Sequence, residues 1–523
     1  MNPHAVILRA RIRPERHQDF QFIIEGKPMA TPSPYLPHFK FDHSLARALD
    51  GFYAPAQAAP APAPHLIVLN RPLATALGLD AVALDSEIGA AIFSGNHLPH
   101  GAMPLAQVYA GHQFGNFVPM LGDGRAMLLG EVLGRDGRRD IQLKGSGRTP
   151  FSRGGDGRAA LGPVLREYLV SEAMHALGIP TTRALAAVST GEHVWRNAKV
   201  PGAVLTRVAA SHIRVGTFQF FAARGETDKV KQLADYVIAR HYPALADSPQ
   251  PYLRLLEAVV EAQAMLVARW MQVGFVHGVM NTDNTTMSGE TIDYGPCAFM
   301  DAYSAHAVFS SIDLQGRYAY NNQPVMARWN MARLAETLLP LIHPDENEAL
   351  RFADAVMAAF PARYSAHWLT GMRAKLGLNT TDTGDTELIH WLLAIMQEQD
   401  ADFSLVFRRL STAVRGDVEP VRALLNHAAD FDDWLARWLA RRRQETSPAH
   451  ERAAAMDRVN PRVIPRNHRV EAALAAATEQ HDFAPFHELL AAITNPFDER
   501  PEFAQYAEPA PASFGPFTTF CGT

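Results

Sequence analysis

Between Pro104 and Asp156 the chain sets short apolar runs among frequent glycines. Ala126–Val132 (AMLLGEV) and Asp140–Lys144 (DIQLK) read as two strands joined by the charged turn Gly134–Arg139. The glycines around this hairpin mark places where another group comes close to the backbone. The period then changes from two to about 3.6. Leu161, Val164, Leu165, Tyr168, Leu169, Ala173 and Leu177 share one face of a helix over 161–177. Pro163 is tolerated in its first turn, Gly178 stops it, and Pro180 lies beyond. Leu255–Val273 is a second strong helix, followed at once by a polar, irregular stretch from Phe275 to Asp301. From Ala327 to about Leu490 the pattern is mostly helical, with breaks expected at Pro340, Pro361 and Pro461. Tyr53–Pro64 (YAPAQAAPAPAP) is expected as an extended surface loop, because proline excludes both helix and central strand. Tyr506–Thr523 is expected to be non-regular, and no internal repeat is evident.

This order, a glycine-rich β region, a helix, mixed structure, a helix, a polar loop and then helices, is the element order of a two-lobed kinase. The fold class expected is therefore α+β and protein-kinase-like. A disordered N-terminal extension is expected over 1–37. The β-rich N-lobe follows over 38–205, a mainly helical C-lobe over 206–500, and a tail over 501–523.

Composition narrows the class. Of 523 residues 47% are hydrophobic and 20% charged, ordinary for a globular protein with ample core. A formal net charge of -5 argues against a general nucleic-acid binder but leaves room for a local basic pocket. The only cysteines are Cys297 and Cys521, so there is neither a disulfide framework nor a CxxC zinc site. Low cysteine use points to a reducing cytoplasm. No apolar run approaches the roughly 18 residues of a membrane span. Met1–Met29 lacks the apolar core of a signal peptide, and Glu15, Asp19 and Glu25 are unwelcome in a transit peptide. It reads as an extension, or as residues ahead of a start at Met29.

The chemistry gathers in the polar loop His277-Gly-Val-Met-Asn-Thr-Asp283-Asn284, followed by Asp293-Tyr294-Gly295. A kinase catalytic loop carries a histidine, an asparagine seven positions on, and then a metal-binding aspartate before a glycine. His277, Asn284 and Asp293 match at all three points. The match fails where a kinase places its catalytic aspartate, two positions after the histidine: that residue is Val279. Asp283 is the best substitute base, beside a metal site formed by Asn284 and Asp293. Lys144 ends a strand and Glu167 lies on the next helix, the arrangement that fixes a lysine head against phosphates. Glycine clusters at Gly111–Gly115, Gly122–Arg125, Gly145–Arg148 and Gly154–Arg158 offer backbone N–H groups and arginine forks to phosphate oxygens. Arg207 and Arg214 stand alone in apolar context, either as anion ligands or as members of structural ion pairs.

Tyr109–Glu131, Ile141–Leu185 and His277–Asp301 resemble selenoprotein O, a pseudokinase-fold family of protein adenylyltransferases, and the resemblance extends from about His38 to Cys521. It implies that ATP binds flipped relative to kinases, leaving the α-phosphate open to attack. By matching position, Gly122, Gly124, Arg125, Lys144, Asp156, Gly157, Arg207 and Arg214 would bind nucleotide, with Glu167 paired to Lys144. Asp283 would be the base, and Asn284 with Asp293 would hold Mg2+ or Mn2+. The absence of a kinase aspartate at Val279 is then expected. AMP would pass from ATP to Ser, Thr or Tyr hydroxyls of target proteins, which family analogy places among proteins of redox metabolism. Cys521 occupies the position of the selenocysteine found in many eukaryotic members, and the resemblance also points to a regulatory disulfide between Cys297 and Cys521. Transfer of UMP from UTP with Mn2+, γ-phosphate transfer, and a catalytically dead nucleotide-binding scaffold remain as alternatives.

Overall fold

The two strands expected from the glycine-rich region lie at the centre of an eight-stranded antiparallel sheet in the computed structural model, which describes residues 37–520. Its strands are β1 (Tyr53–Pro55), β2 (His65–Leu69), β3 (Leu105–Gln107), β6 (Ala126–Gly134), β7 (Gly137–Lys144), β8 (Ala159–Ala160), β9 (Arg183–Trp195) and β10 (Lys199–Ala209). They run in the order β1-β3-β6-β7-β10-β9-β2, with β8 paired to β10. A separate hairpin joins β4 (Gly111–Gln113) to β5 (Asn116–Val118). The residues from Pro37 onward form one compact unit. The expected N-terminal extension and Cys521 lie outside the described residues.

Several expectations need correction. The β6–β7 turn is shorter than Gly134–Arg139: Gly134 pairs with Gly137, and only Arg135 and Asp136 turn the chain. The polar residues continue the strand because Arg138 has partners there, donating to Asp42 at 2.5 Å and to Glu131 at 2.9 Å. The Ala/Pro stretch begins as strand β1, at the sheet edge, where proline leaves no ladder bond unmade. Residue 205, given above as the end of the N-lobe, falls inside β10.

Leu161–Ala176 forms the expected helix and packs on Ala184, Ala187, Ala203 and Leu205 of the sheet. The opposite face of the sheet, with Met127, Leu129, Ile141, Leu143, Val204 and Val208, packs against Leu73, Ile92 and Phe93 of short helices between β2 and β3. The second expected helix is longer, Pro251–Gln272, and anchors the largest core together with Gln323–Ile342 and Glu346–Lys375. Neither Pro340 nor Pro361 breaks a helix. At Pro361 the ring removes the bond to the carbonyl four residues earlier. That carbonyl, of Met357, accepts instead from Arg328 Nε at 3.1 Å. Arg466, fully buried, pairs with Asp402 at 2.7 Å and with Asp301, tying the end of the polar loop to the C-terminal helices.

Lys375, 3% exposed, packs its ammonium 4.5 Å from the Phe407 ring centroid and 5.5 Å from that of Phe403. Burial lowers its pKa to about 7. In the unfolded chain the same group titrates near about 10.4. The folded state therefore binds this proton less tightly, and stability rises with pH between the two values. Lys375→Met is expected to raise the urea midpoint most at about pH 6, with the gain shrinking toward about pH 9. A gain independent of pH would show that the lysine is not buried as a cation.

Candidate active site

Strand alternation builds the floor of the site. On β7, Ile141 and Leu143 point into the core, so Gln142 and Lys144 point to the other side. Arg207 of β10 lies directly across from Gln142 and donates to its Oε1 from Nε at 3.1 Å and Nη2 at 2.7 Å. Lys144 Nζ meets Glu167 Oε2 at 2.6 Å. Glu167 is off the apolar stripe, as expected, but its helix is enclosed on nearly every side. Lys144 and Glu167 are thus a buried pair, 9% and 6% exposed, and not a solvated surface pair.

Both lone arginines turn to the same carboxylate. Asp293 Oδ1 accepts from Lys144 Nζ at 2.7 Å and from Arg207 Nη1 at 2.6 Å, and Oδ2 accepts from Arg214 Nη1 at 2.8 Å. Burial alone would raise the Asp293 pKa, but Lys144, Arg207 and Arg214 outweigh it and hold the carboxyl well below the usual range. Its backbone sits at φ +62°, a left-handed conformation costly for a residue with a Cβ. Arg214 also donates to the Asp283 carbonyl at 2.8 Å, stands 3.6 Å from Asp123, and lies 4.5 Å over the Tyr109 ring.

Asp283 is 7% exposed, and its Oδ1 has no hydrogen-bond partner. Burial pushes its carboxyl up to about 6, with Arg214 opposing. Gly111 of β4 packs so close that a Cβ there would stand 2.5 Å from Asp283 Oδ1. Asn284 donates its Nδ2 to the Val279 carbonyl at 3.0 Å, which leaves Oδ1 for a ligand. His277 is buried, bonded to the Ile292 carbonyl at 2.9 Å and stacked on Trp270. It therefore shapes the loop instead of facing the cleft.

Lys144, Glu167, Arg207, Arg214, Asp283, Asn284 and Asp293 line one cleft of about 1050 Å3, together with Gly122, Gly124, Arg125, Asp156 and Gly157. Asp156 sits on the outer rim, where Arg196 holds its carboxylate at 2.8 Å. Gly157, at φ +69°, packs where a Cβ would stand 2.2 Å from the Gly147 backbone. Its glycine is thus required by loop packing whether or not it meets phosphate. The far wall comes from Glu471, Leu474 and Thr478 of the Asn467–Glu479 helix and from Thr518–Phe520 of the tail. Asp123, Gln142 and Tyr109 are parts of the site that residue-by-residue reading passed over, and Gly111, expected in a glycine cluster facing phosphate, packs on Asp283. The available signals were the Gly-Asp-Gly-Arg context of Asp123 and the two-residue spacing of Gln142 from Lys144.

The sequence profile of a family described as "Protein adenylyltransferase SelO" matches residues 36–494. The chain belongs to the SelO family. It is 60% identical over 489 residues to the protein nucleotidyltransferase YdiU of Rhodopseudomonas palustris (strain BisB5), covering 93% of this chain and 99% of that protein. It is 62% identical over 488 residues to the YdiU of Cereibacter sphaeroides (strain ATCC 17025), covering 93% and 100%. The YdiU of Agrobacterium fabrum is 59% identical over 485 residues, covering 92% and 100%. Within this SelO family member no described helix is long and apolar enough to cross a membrane.

Two carboxylates and an amide oxygen in one cleft are hard oxygen donors, and the unpartnered Asp283 Oδ1 marks unspent acceptor capacity there. The set fits a divalent cation.

Removing Asp293 would leave three buried cations without their shared partner. Asp293→Ala is expected to lose about 3–5 kcal/mol in urea unfolding, the scale for breaking a buried ion pair. Added pyrophosphate should raise the melting temperature of the variant more than that of the parent. Equal shifts would mean that the cations do not form an anion site.

Proposed function

We propose that this chain transfers AMP from ATP to Ser, Thr or Tyr hydroxyls of other proteins, releasing pyrophosphate. The observation that carries this reading is the convergence of Lys144, Arg207 and Arg214 on Asp293, beside an Asp283 with a free carboxylate oxygen and with Val279 at the kinase base position. Family membership supports nucleotidyl transfer, and the YdiU relatives are named protein nucleotidyltransferases.

In this reading Asp283 takes the proton of the acceptor hydroxyl. Its lifted pKa favours that role, since a base works best when its pKa lies near the operating pH. The hydroxyl oxygen forms a bond to the α-phosphorus, and the bond from that phosphorus to the bridging oxygen breaks. The electron pair leaves on pyrophosphate, which Lys144, Arg207 and Arg214 receive. Glu167 holds Lys144 in place. Gly122, Gly124, Arg125, Asp156 and Gly157 line the path of the nucleotide. A divalent cation held by Asn284 and Asp293 would supply neutralisation of phosphate charge.

The same reading includes a regulatory bridge from Cys297 to Cys521. Cys297 is fully buried, and burial pushes its thiol up to about 11. Arg166 bonds the Cys297 carbonyl and lies 5.7 Å from the Phe517 ring, so the tail approaches this segment just before Cys521.

The test uses ATP labelled at the α- or the γ-phosphorus with Mg2+ or Mn2+, and α-labelled UTP in parallel. Label on protein from α-labelled ATP alone is expected, reduced by about two decades or more in Asp283→Asn, the scale of losing a general base. Label from the γ-position would establish a kinase, a preference for UTP a uridylyltransferase, and no label from any donor a nucleotide-binding scaffold.

A further inference from the structure

Beside the cleft, two arginines flank one tryptophan. Arg317 lies 4.8 Å and Arg333 5.0 Å from the Trp329 ring centroid, and His112 meets the same ring edge-on at 5.2 Å. Arg333 pairs with Glu336 at 2.6 Å, whereas Arg317 makes no ion pair among the described residues. The Nε atoms of both arginines are buried without a partner. The nearby Asp313 spends its carboxylate on the backbone N–H groups of Arg317 and Tyr318, at 2.9 and 2.7 Å. Burial lowers the His112 pKa, Gln219 opposes this, and Arg333 and Arg317 lower it further. Around this positive centre Phe117 is 40% and Val325 58% exposed.

The β4–β5 hairpin connects this surface to the chemistry. At one end Gly111 packs on Asp283, while Gly115, near the turn, packs against the Arg317 guanidinium. At about 3.3 Å per residue the two ends lie on the order of 10 Å apart, a span of a few extended peptide residues. The Asn281 side chain ties the same parts together, accepting from the Phe114 N–H at 3.0 Å and from the Tyr318 hydroxyl at 2.7 Å.

We propose that the Arg317–Trp329–Arg333 surface docks an acidic segment of the protein substrate, a few residues from the hydroxyl presented to Asp283. Carboxylates of that segment would meet the guanidinium groups, and its apolar atoms would cover Phe117 and Val325. The proposal rests on the transferase reading above for the role of Asp283, but the docking step is measured without it.

The experiment uses the full chain and two fluorescein-labelled peptides of equal length, each with a central serine. One has the serine flanked by Asp and Glu, the other by Lys. Binding is followed by anisotropy at low and at moderate salt, and nucleotidyl transfer to each peptide is measured separately. The acidic peptide is expected to bind about tenfold or more tightly, with the preference falling as salt screens it. The double substitution R317E/R333E should remove the preference, and R317K should keep most of it. Unchanged melting temperature and ATP binding would show that the charge-reversed protein is intact. Equal binding of the two peptides by the parent protein overturns the proposal, whatever the variants do. So does a preference that survives charge reversal. An acidic preference without transfer from any nucleotide would sustain docking and sink the transferase reading instead.

Discussion

Three cations share the Asp293 carboxylate, and much of the architecture can be understood from what that arrangement demands. Lys144 and Arg207 come from adjacent strands, Arg214 from the start of the next helix, and Asp293 from a loop nearly eighty residues further on. Burying them separately would be prohibitive, since each unpaired charge would keep its full desolvation penalty. Together they fix strand register at Arg207–Gln142, draw the polar loop onto the sheet and hold Asp293 in an unfavourable backbone conformation. In the transfer reading proposed above, the same cluster would receive negative charge with little rearrangement of its dipoles and cations.

Much of this was legible in the chain because the signals are local. The strand ending at Lys144, the Leu161–Ala176 helix and the spacing from His277 to Asn284 to Asp293 depend on short-range periodicity and on residue type. What could not be read depends on contacts between distant segments. Arg207 and Arg214 were ambiguous between ion pair and ligand because nothing near them in sequence is acidic. The structure shows the ion pairs, and the cleft they border leaves the second role open as well. Gly111 looked like one glycine among many until Asp283, far away in sequence, filled the space beside it. Pro361 looked like a helix end because the arginine that satisfies the freed carbonyl belongs to the preceding helix.

Arginine recurs as the residue that closes such gaps. Arg328 caps an orphaned carbonyl, Arg166 bonds the backbone at Cys297, Arg408 bonds the carbonyls of Asp457 and Asn460, and Arg466 bridges Asp301 and Asp402. Its fork of donors can serve several acceptors at once. In this fold, arginines do at long range what helix caps and ladder bonds do locally, and they fasten irregular segments around the cleft to regular elements.

The cleft takes its floor from residues near position 144 and its far wall from Thr518–Phe520. During synthesis the chain emerges in order, so the sheet and the cationic cluster leave the ribosome well before that wall exists. A nascent or prematurely terminated chain would carry the charged floor of the site as an open surface. Enclosure of the cleft thereby waits on synthesis of the tail segment, and a chain truncated before it would differ from the longer one in its chemistry as well as its length.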